Sequence, residues 1–212
     1  MIYLDHNATT PCIPAVIEAM LPYFNEKFGN ASSVNYPLAW QSDEAVKHTR
    51  TTIANYLGCL AQEIIFTSGA TESCNLAIKG VWDHYKTKGK HIITVATEHS
   101  AVLNTINALQ KEGALVDYVN IDGDGTVDLE DLQAKINDGT ILIAIMHTNN
   151  ETGVIQDIAA IGKIAKSKNI FFLCDATQSF GKVALDVDTL GVDLMPFSAH
   201  KFYGPKGIGG LY

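Results

Sequence analysis

The pattern of apolar and polar positions changes once along the chain. Up to about residue 60 the apolar residues fall at helical spacing, which predicts two helices, near 14–27 and 37–57. In the second, Ala45, Val46, Thr49, Ile53 and Tyr56 line one face, and Gly58 supplies a stop. Seven short β-rich runs follow: EIIFTS, HIITVA, LVDYVNI, TILIAIM, IFFLCD, DLMPFS and GIGGLY. The first six are mostly continuous apolar runs, as expected of strands buried on both faces of a parallel sheet. Helical patterns such as ATESCNLAIKGVWDHYK and DIAAIGKIAKSK lie between them. Strand–helix alternation of this kind predicts an α/β fold, a parallel sheet covered by helices. The crossing HKFYGPKGIG is too short for a helix, so GIGGLY is expected to run antiparallel to its neighbour.

In an open parallel sheet, ligands bind beyond the carboxyl ends of the strands. Ser68, Gly69, Ala70 and Thr71 follow the first predicted strand; Glu98 and His99 follow the second. After the third there is only the turn DGDGTVD. His147, Asn149, Asn150 and Glu151 follow the fourth, Asp175 and Gln178 the fifth, and Ser198, His200 and Lys201 the sixth. Each could be ordinary capping or loop chemistry, but five such ends on one rim favour a site.

Composition narrows the class. With 212 residues, 47% hydrophobic and 18% charged, the chain has apolar matter for one large domain. A net charge of -8 with scattered Lys and Arg argues against nucleic acid as a partner. MIYLDHNATT lacks the features of a signal peptide, and runs such as TILIAIM are too short to span a bilayer. Cys12, Cys59, Cys74 and Cys174 show no metal or redox spacing, and read as reduced thiols of a cytoplasmic protein. A calcium loop starting at Asp122 is set aside, because Val127 and Gln133 stand where glycine and glutamate are required; Asp128 reads instead as a helix cap.

Three features point to one ligand. TSGATES puts small residues and a hydroxyl at a helix start, where free N–H groups favour a phosphate, although an N-cap by Ser68 or Thr71 is the simpler alternative. Asp175 ends a very apolar strand, where a carboxylate needs a cation such as a protonated pyridine nitrogen, or else a cap or salt bridge. Lys201 is the one lysine ending an apolar strand; burial and nearby cations would free its amine as a nucleophile. Phosphate site, pyridinium partner and Schiff-base lysine together describe pyridoxal 5'-phosphate.

The motifs YLDHNATTP, TSGATESCNLAI, TEHSAV, MHTNNETGVIQDI, CDATQSFGK and DLMPFSAHKFYGPKGIGGLY resemble, in that order, those of cysteine desulfurases. These belong to the class V aminotransferase group of fold-type I pyridoxal-phosphate enzymes. The resemblance runs the length of the chain. It implies an α/β large domain over residues 1–212, with a helical segment at about 1–60 and a mostly parallel seven-stranded sheet with helices on both faces. The last strand, in which the chain ends, would lie between the sixth and the first; the small C-terminal domain would be absent.

The resemblance also implies roles. Lys201 would hold the cofactor and move the proton on the substrate carbon. Asp175 would pair with the pyridinium, and His99 would stack on the ring and serve acid–base steps. Gln178 would bond the phenolic oxygen. Gly69, Ala70, Thr71, Ser198 and His200 would hold the phosphate, and Asn150 would help to seat the substrate carboxylate. The implied reaction takes sulfur from L-cysteine, leaving alanine and an enzyme persulfide for sulfur-acceptor proteins, in a two-fold dimer. The family's persulfide cysteine and carboxylate-binding arginine would fall beyond residue 212, so the chain alone is expected to turn over little or no cysteine. A selenocysteine lyase, an aminotransferase or a non-catalytic partial chain are the alternatives.

Overall fold

The computed structural model describes residues 2–212. The helices expected near 14–27 and 37–57 appear as α1 (Pro14–Met20), α2 (Pro22–Asn25) and α3 (Pro37–Leu57). Each begins with proline, whose fixed φ suits a first helical turn and whose missing N–H is not needed there. Gly58 ends α3 at φ 72°, a left-handed cap. Neither α1 nor α2 buries a residue, and Leu4, Phe24, Phe28 and Trp40 stand exposed.

The seven strands are β1 (Ile65–Thr67), β2 (His91–Val95), β3 (Leu115–Val119), β4 (Thr140–Ala144), β5 (Phe171–Leu173), β6 (Pro196–Ser198) and β7 (Gly209–Leu211). Helices α4 (Ala70–Tyr85), α5 (Ser100–Lys111), α6 (Leu129–Lys135), α7 (Ile158–Ser167) and α8 (Val187–Leu190) join the parallel strands. The strands pair as a four-stranded parallel sheet, β3-β2-β4-β5, and a three-stranded sheet, β1-β7-β6, in which β7 is antiparallel to both neighbours. The antiparallel turn-back expected of GIGGLY is therefore present. The sequence pattern predicted one sheet. The two sets meet between β5 and β6 through a parallel bridge, Leu173–Leu194, and the bond from Cys174 N to Leu194 O at 2.9 Å.

Alternation along the central strands sends side chains to two cores. Ile93, Ile143, Ile145 and Phe172 face α3, α7 and α8, while Ile92, Leu142, Ala144 and Leu173 face α4 and α5. Burial on both faces holds for β2 and β4 but not for the edge strands β1 and β3, whose Ile65 and Leu115 are 48% and 65% exposed. LVDYVNI is apolar enough to read as interior, yet β3 is a sheet edge with one paired side. The DGDGTVD turn is held by Asp122 Oδ1, which accepts from Asp124 N at 2.9 Å and Thr126 N at 2.8 Å; Asp128 caps α6 as expected.

Candidate active site

A cleft of about 450 Å³ opens at the carboxyl ends of β1, β2, β4, β5 and β6. All the cofactor- and substrate-site residues picked out from the sequence line it, from Gly69 on one wall to Lys201 on the other. Glu98, His147, Asn149, Glu151 and all four cysteines are not part of its lining. A larger cavity, about 850 Å³, lies at the opposite end of β4 and β5, away from these groups.

One wall is the start of α4. No side chain caps this helix: Ser68 gives both its N–H and its hydroxyl to Glu72 Oε2, at 2.6 and 2.7 Å. The simple N-cap is therefore excluded, and the first turn keeps its dipole for an anion. Gly69 sits at φ 154° and ψ 178°, a region essentially closed to other residues. Its backbone also meets β7 closely; a Cβ on Gly209 would lie 2.7 Å from Gly69 Cα. Gly69→Ala is expected to destabilise the fold by ~1–3 kcal/mol, read as a lower urea midpoint, and to weaken protection by inorganic phosphate.

The floor is formed by the end of β5. Asp175 is 4% exposed; its Oδ1 accepts from Thr177 N at 2.9 Å and from Thr177 Oγ1, and its Oδ2 has the Cys74 thiol at 3.9 Å. Burial raises its pKa, against the pull of the Thr177 donors and His99. His99 caps α5, its Nδ1 accepting from Ala101 N at 3.1 Å. That bond leaves the ring proton of the neutral imidazole on Nε2. Burial and the Lys182 charge lower the pKa of the half-buried Lys201, more than the acidic groups Asp175, Asp5 and Glu151 raise it. Lys201 and Asp175 thus face one cleft.

The N-terminal stretch, which follows no strand and so escaped a search of strand ends, crosses this cleft. Asn7 O accepts from Lys201 Nζ and, at 2.8 Å, from Gln178 Nε2. Asn7 Nδ2 donates to Asn150 O at 2.8 Å, and Thr9 Oγ1 is 3.0 Å from His200 Nδ1. Thr10, 3% exposed, gives its hydroxyl to His200 O at 2.9 Å and accepts from Tyr203 N at 2.8 Å. The polar cluster DHNATT ahead of the first helix was the available signal. Thr10→Val keeps the shape and loses both bonds; a loss of ~1–2 kcal/mol and faster exchange of the Tyr203 amide are expected.

The thiols divide by burial. Cys74 and Cys174 are fully buried, and burial followed by Asp175 pushes both well above the usual thiol range, so neither offers a thiolate. Cys12 and Cys59 are half-buried, and burial with Glu63 raises Cys59.

The chain is similar to several known proteins. The cysteine desulfurase IscS of Photorhabdus laumondii subsp. laumondii is 55% identical over 213 residues, covering 100% of this chain and 53% of that protein. The IscS of Anaeromyxobacter dehalogenans is 49% identical over 211 residues, covering 100% of this chain and 52% of its own. The chain thus spans about half the length of the curated relatives it matches. Among solved structures, "SspA in complex with cysteine" matches with TM-score 0.97 and 41% identity, over 100% of this chain and 61% of that one. The apo cysteine desulfurase from Thermococcus onnurineus NA1 matches with TM-score 0.94 and 34% identity, over 100% and 53%. The aminotransferase class-V family model matches residues 2–212, the span over which the strand ends build this cleft, and the chain belongs to that family.

Proposed function

We propose that this chain is the cofactor-binding domain of a pyridoxal-phosphate-dependent cysteine desulfurase, its two sheets acting as one seven-stranded sheet across the β5–β6 seam. The observation that carries the reading is the meeting, in one cleft, of a lysine with lowered pKa and a buried carboxylate that has no ion pair among the described residues. The cleft suits the group. An uncapped helix start suits a phosphate, and Asp175 Oδ2, whose one neighbour is a weak thiol donor, suits a ring N–H. The relatives named as cysteine desulfurases support the choice of substrate, L-cysteine.

When bound, pyridoxal phosphate supplies an electron sink for bonds broken at the substrate's α-carbon. Lys201 Nζ, which here donates to Asn7 O, would anchor that group and would carry a proton at the substrate carbon. Asp175 would offer its carboxylate to the ring N–H. The α4 start with Gly69, Ala70 and Thr71, joined by Ser198 and His200, holds the phosphate. Gln178 would bond the phenolic oxygen, and His99, with its proton on Nε2, would stack on the ring. Asn150 seats the substrate carboxylate. No thiol of the cleft walls is placed to take the sulfur, so the acceptor cysteine, a partner subunit and any sulfur-acceptor protein lie outside these residues in this reading.

The test is direct. Borohydride reduction after incubation with pyridoxal phosphate should fix one label, on Lys201 by peptide mass spectrometry. A protein that carries this domain at the full length of the curated relatives should release alanine from L-cysteine, and sulfide when a thiol reductant is added. A label spread over surface lysines, with no visible cofactor band, would defeat the reading.

A further inference from the structure

The residue beside His99 has no role in the mechanism above. Glu98 is a carboxyl only 6% exposed, at the end of β2. Its Oε1 accepts from Met146 N, just past β4, and its Oε2 is buried with no hydrogen-bond partner. No lysine or arginine pairs with it among the described residues. Of the titratable groups around it, Asp175 after β5 acts on its charge, and Glu98 in turn raises the thiols of Cys74 on α4 and of Cys174.

We propose that Glu98 is a positioning residue: it stands in the fold as a neutral carboxylic acid, pins the end of β2 to the end of β4, and leaves the buried negative charge on Asp175. The geometry explains why a pin is needed there. His99 rides on the end of β2 and Asp175 on the end of β5, and β4 lies between those strands. Three side chains fix the β2 end on β4: Thr94, whose Oγ1 donates to Ala144 O at 2.9 Å, Glu98 through Met146 N, and Asn149, whose Nδ2 donates to Thr97 O at 2.8 Å. Two backbone bonds, Ile145 N to Leu173 O and His147 N to Asp175 O, both at 3.0 Å, fix the β4 end on β5. The spacing of the imidazole and the carboxylate across the cleft is set through these contacts.

The charge assignment rests on the partners. Asp175 has two donors on one oxygen and a thiol near the other; Glu98 has one donor and a bare oxygen. Two carboxylates sharing a dry compartment do not both ionise, and the proton goes to the less solvated one. Burial and the Asp175 charge both push the Glu98 pKa well up. By linkage, a carboxyl whose folded pKa is raised binds its proton more tightly when folded, so its contribution to stability is lost as pH rises.

The positioning half rests on the cofactor reading; the charge state does not. Infrared spectra of the protein near neutral pH should show a protonated-carboxyl stretch that disappears in Glu98→Gln. Glu98→Gln, which keeps an acceptor and a neutral donor, should bind pyridoxal phosphate within about twofold of wild type and keep its induced circular dichroism. It should also flatten the fall of stability with rising pH. Glu98→Ala should weaken binding, and speed exchange of the Met146 amide, about tenfold, as expected for one lost hydrogen bond. The absence of the infrared band, or a Gln variant as impaired as the Ala variant, overturns the proposal. Wild-type protein that takes no pyridoxal phosphate defeats the cofactor reading and the positioning role, while the infrared band still decides the charge of Glu98.

Discussion

Lys201→Ala is expected to take up no borohydride-stable pyridoxal phosphate, and to reduce the turnover of L-cysteine proposed above by ~10³-fold or more. One side chain supplies both the covalent attachment and the positioned proton transfer, and the second alone accounts for ~10²–10⁴-fold. Lys201→Arg separates this from damage to the fold. A guanidinium can still donate to Asn7 O, as Lys201 Nζ does, but it cannot condense with an aldehyde. The Arg variant should therefore melt near wild type and remain colourless with cofactor. The lowered pKa of Lys201 also gives a sign for pH. More of its amine is neutral at a given pH than for a free lysine, so the rate of cofactor capture should rise with pH and level off below the ordinary lysine value of about 10.4. A variant at 201 that retains the label would place the reactive amine elsewhere.

Asp175→Asn should separate stability from cofactor binding. An ion pair at ~4 Å in a medium of effective dielectric about 20 is worth ~4 kcal/mol, so loss of the charge should weaken cofactor binding or turnover by ~10³-fold. Without cofactor the effect reverses. Burial raises the pKa of Asp175, so the charged form is a liability in the empty fold, and its contribution to stability falls as pH rises through the folded pKa. Asn keeps an acceptor for both Thr177 donors and carries no charge. The Asn variant without cofactor should therefore melt at or above wild type at neutral pH, and differ less at acid pH. Melting temperatures with and without pyridoxal phosphate, at two pH values, decide this. A variant destabilised equally in both states would give Asp175 a structural role.

Much of this was legible in the sequence because parallel sheets impose a simple rule. Continuous apolar runs mark central strands, and the polar residues just after each run stand on one rim. TILIAIM is buried throughout β4 and IFFLCD over all of β5 but the partly buried Phe171, and Asp175 and Asn150 stand on the cleft as their positions required. LVDYVNI misled because apolar content does not distinguish an edge from an interior strand, and β3 is paired on one side. The N-terminal stretch was missed for a different reason. Asn7 reaches Lys201 across 194 positions of sequence and Gln178 across 171, and no local pattern encodes a contact so distant. Glu98 was noted as a polar residue at a strand end, but its isolation shows only once its neighbours are placed around it.

The division between the two sheets has a practical outcome for mutant screens. The amine belongs to one set of strands and the carboxylate to the other, joined where Asp193 Oδ2 accepts from Phe172 N at 2.8 Å and Ala176 N donates to Pro196 O at 3.1 Å. Substitutions along that line, Asp193→Ala first, would let the halves drift by fractions of an ångström while each stays folded. Colonies carrying them should bleach on mild heating at temperatures where their protein is still intact.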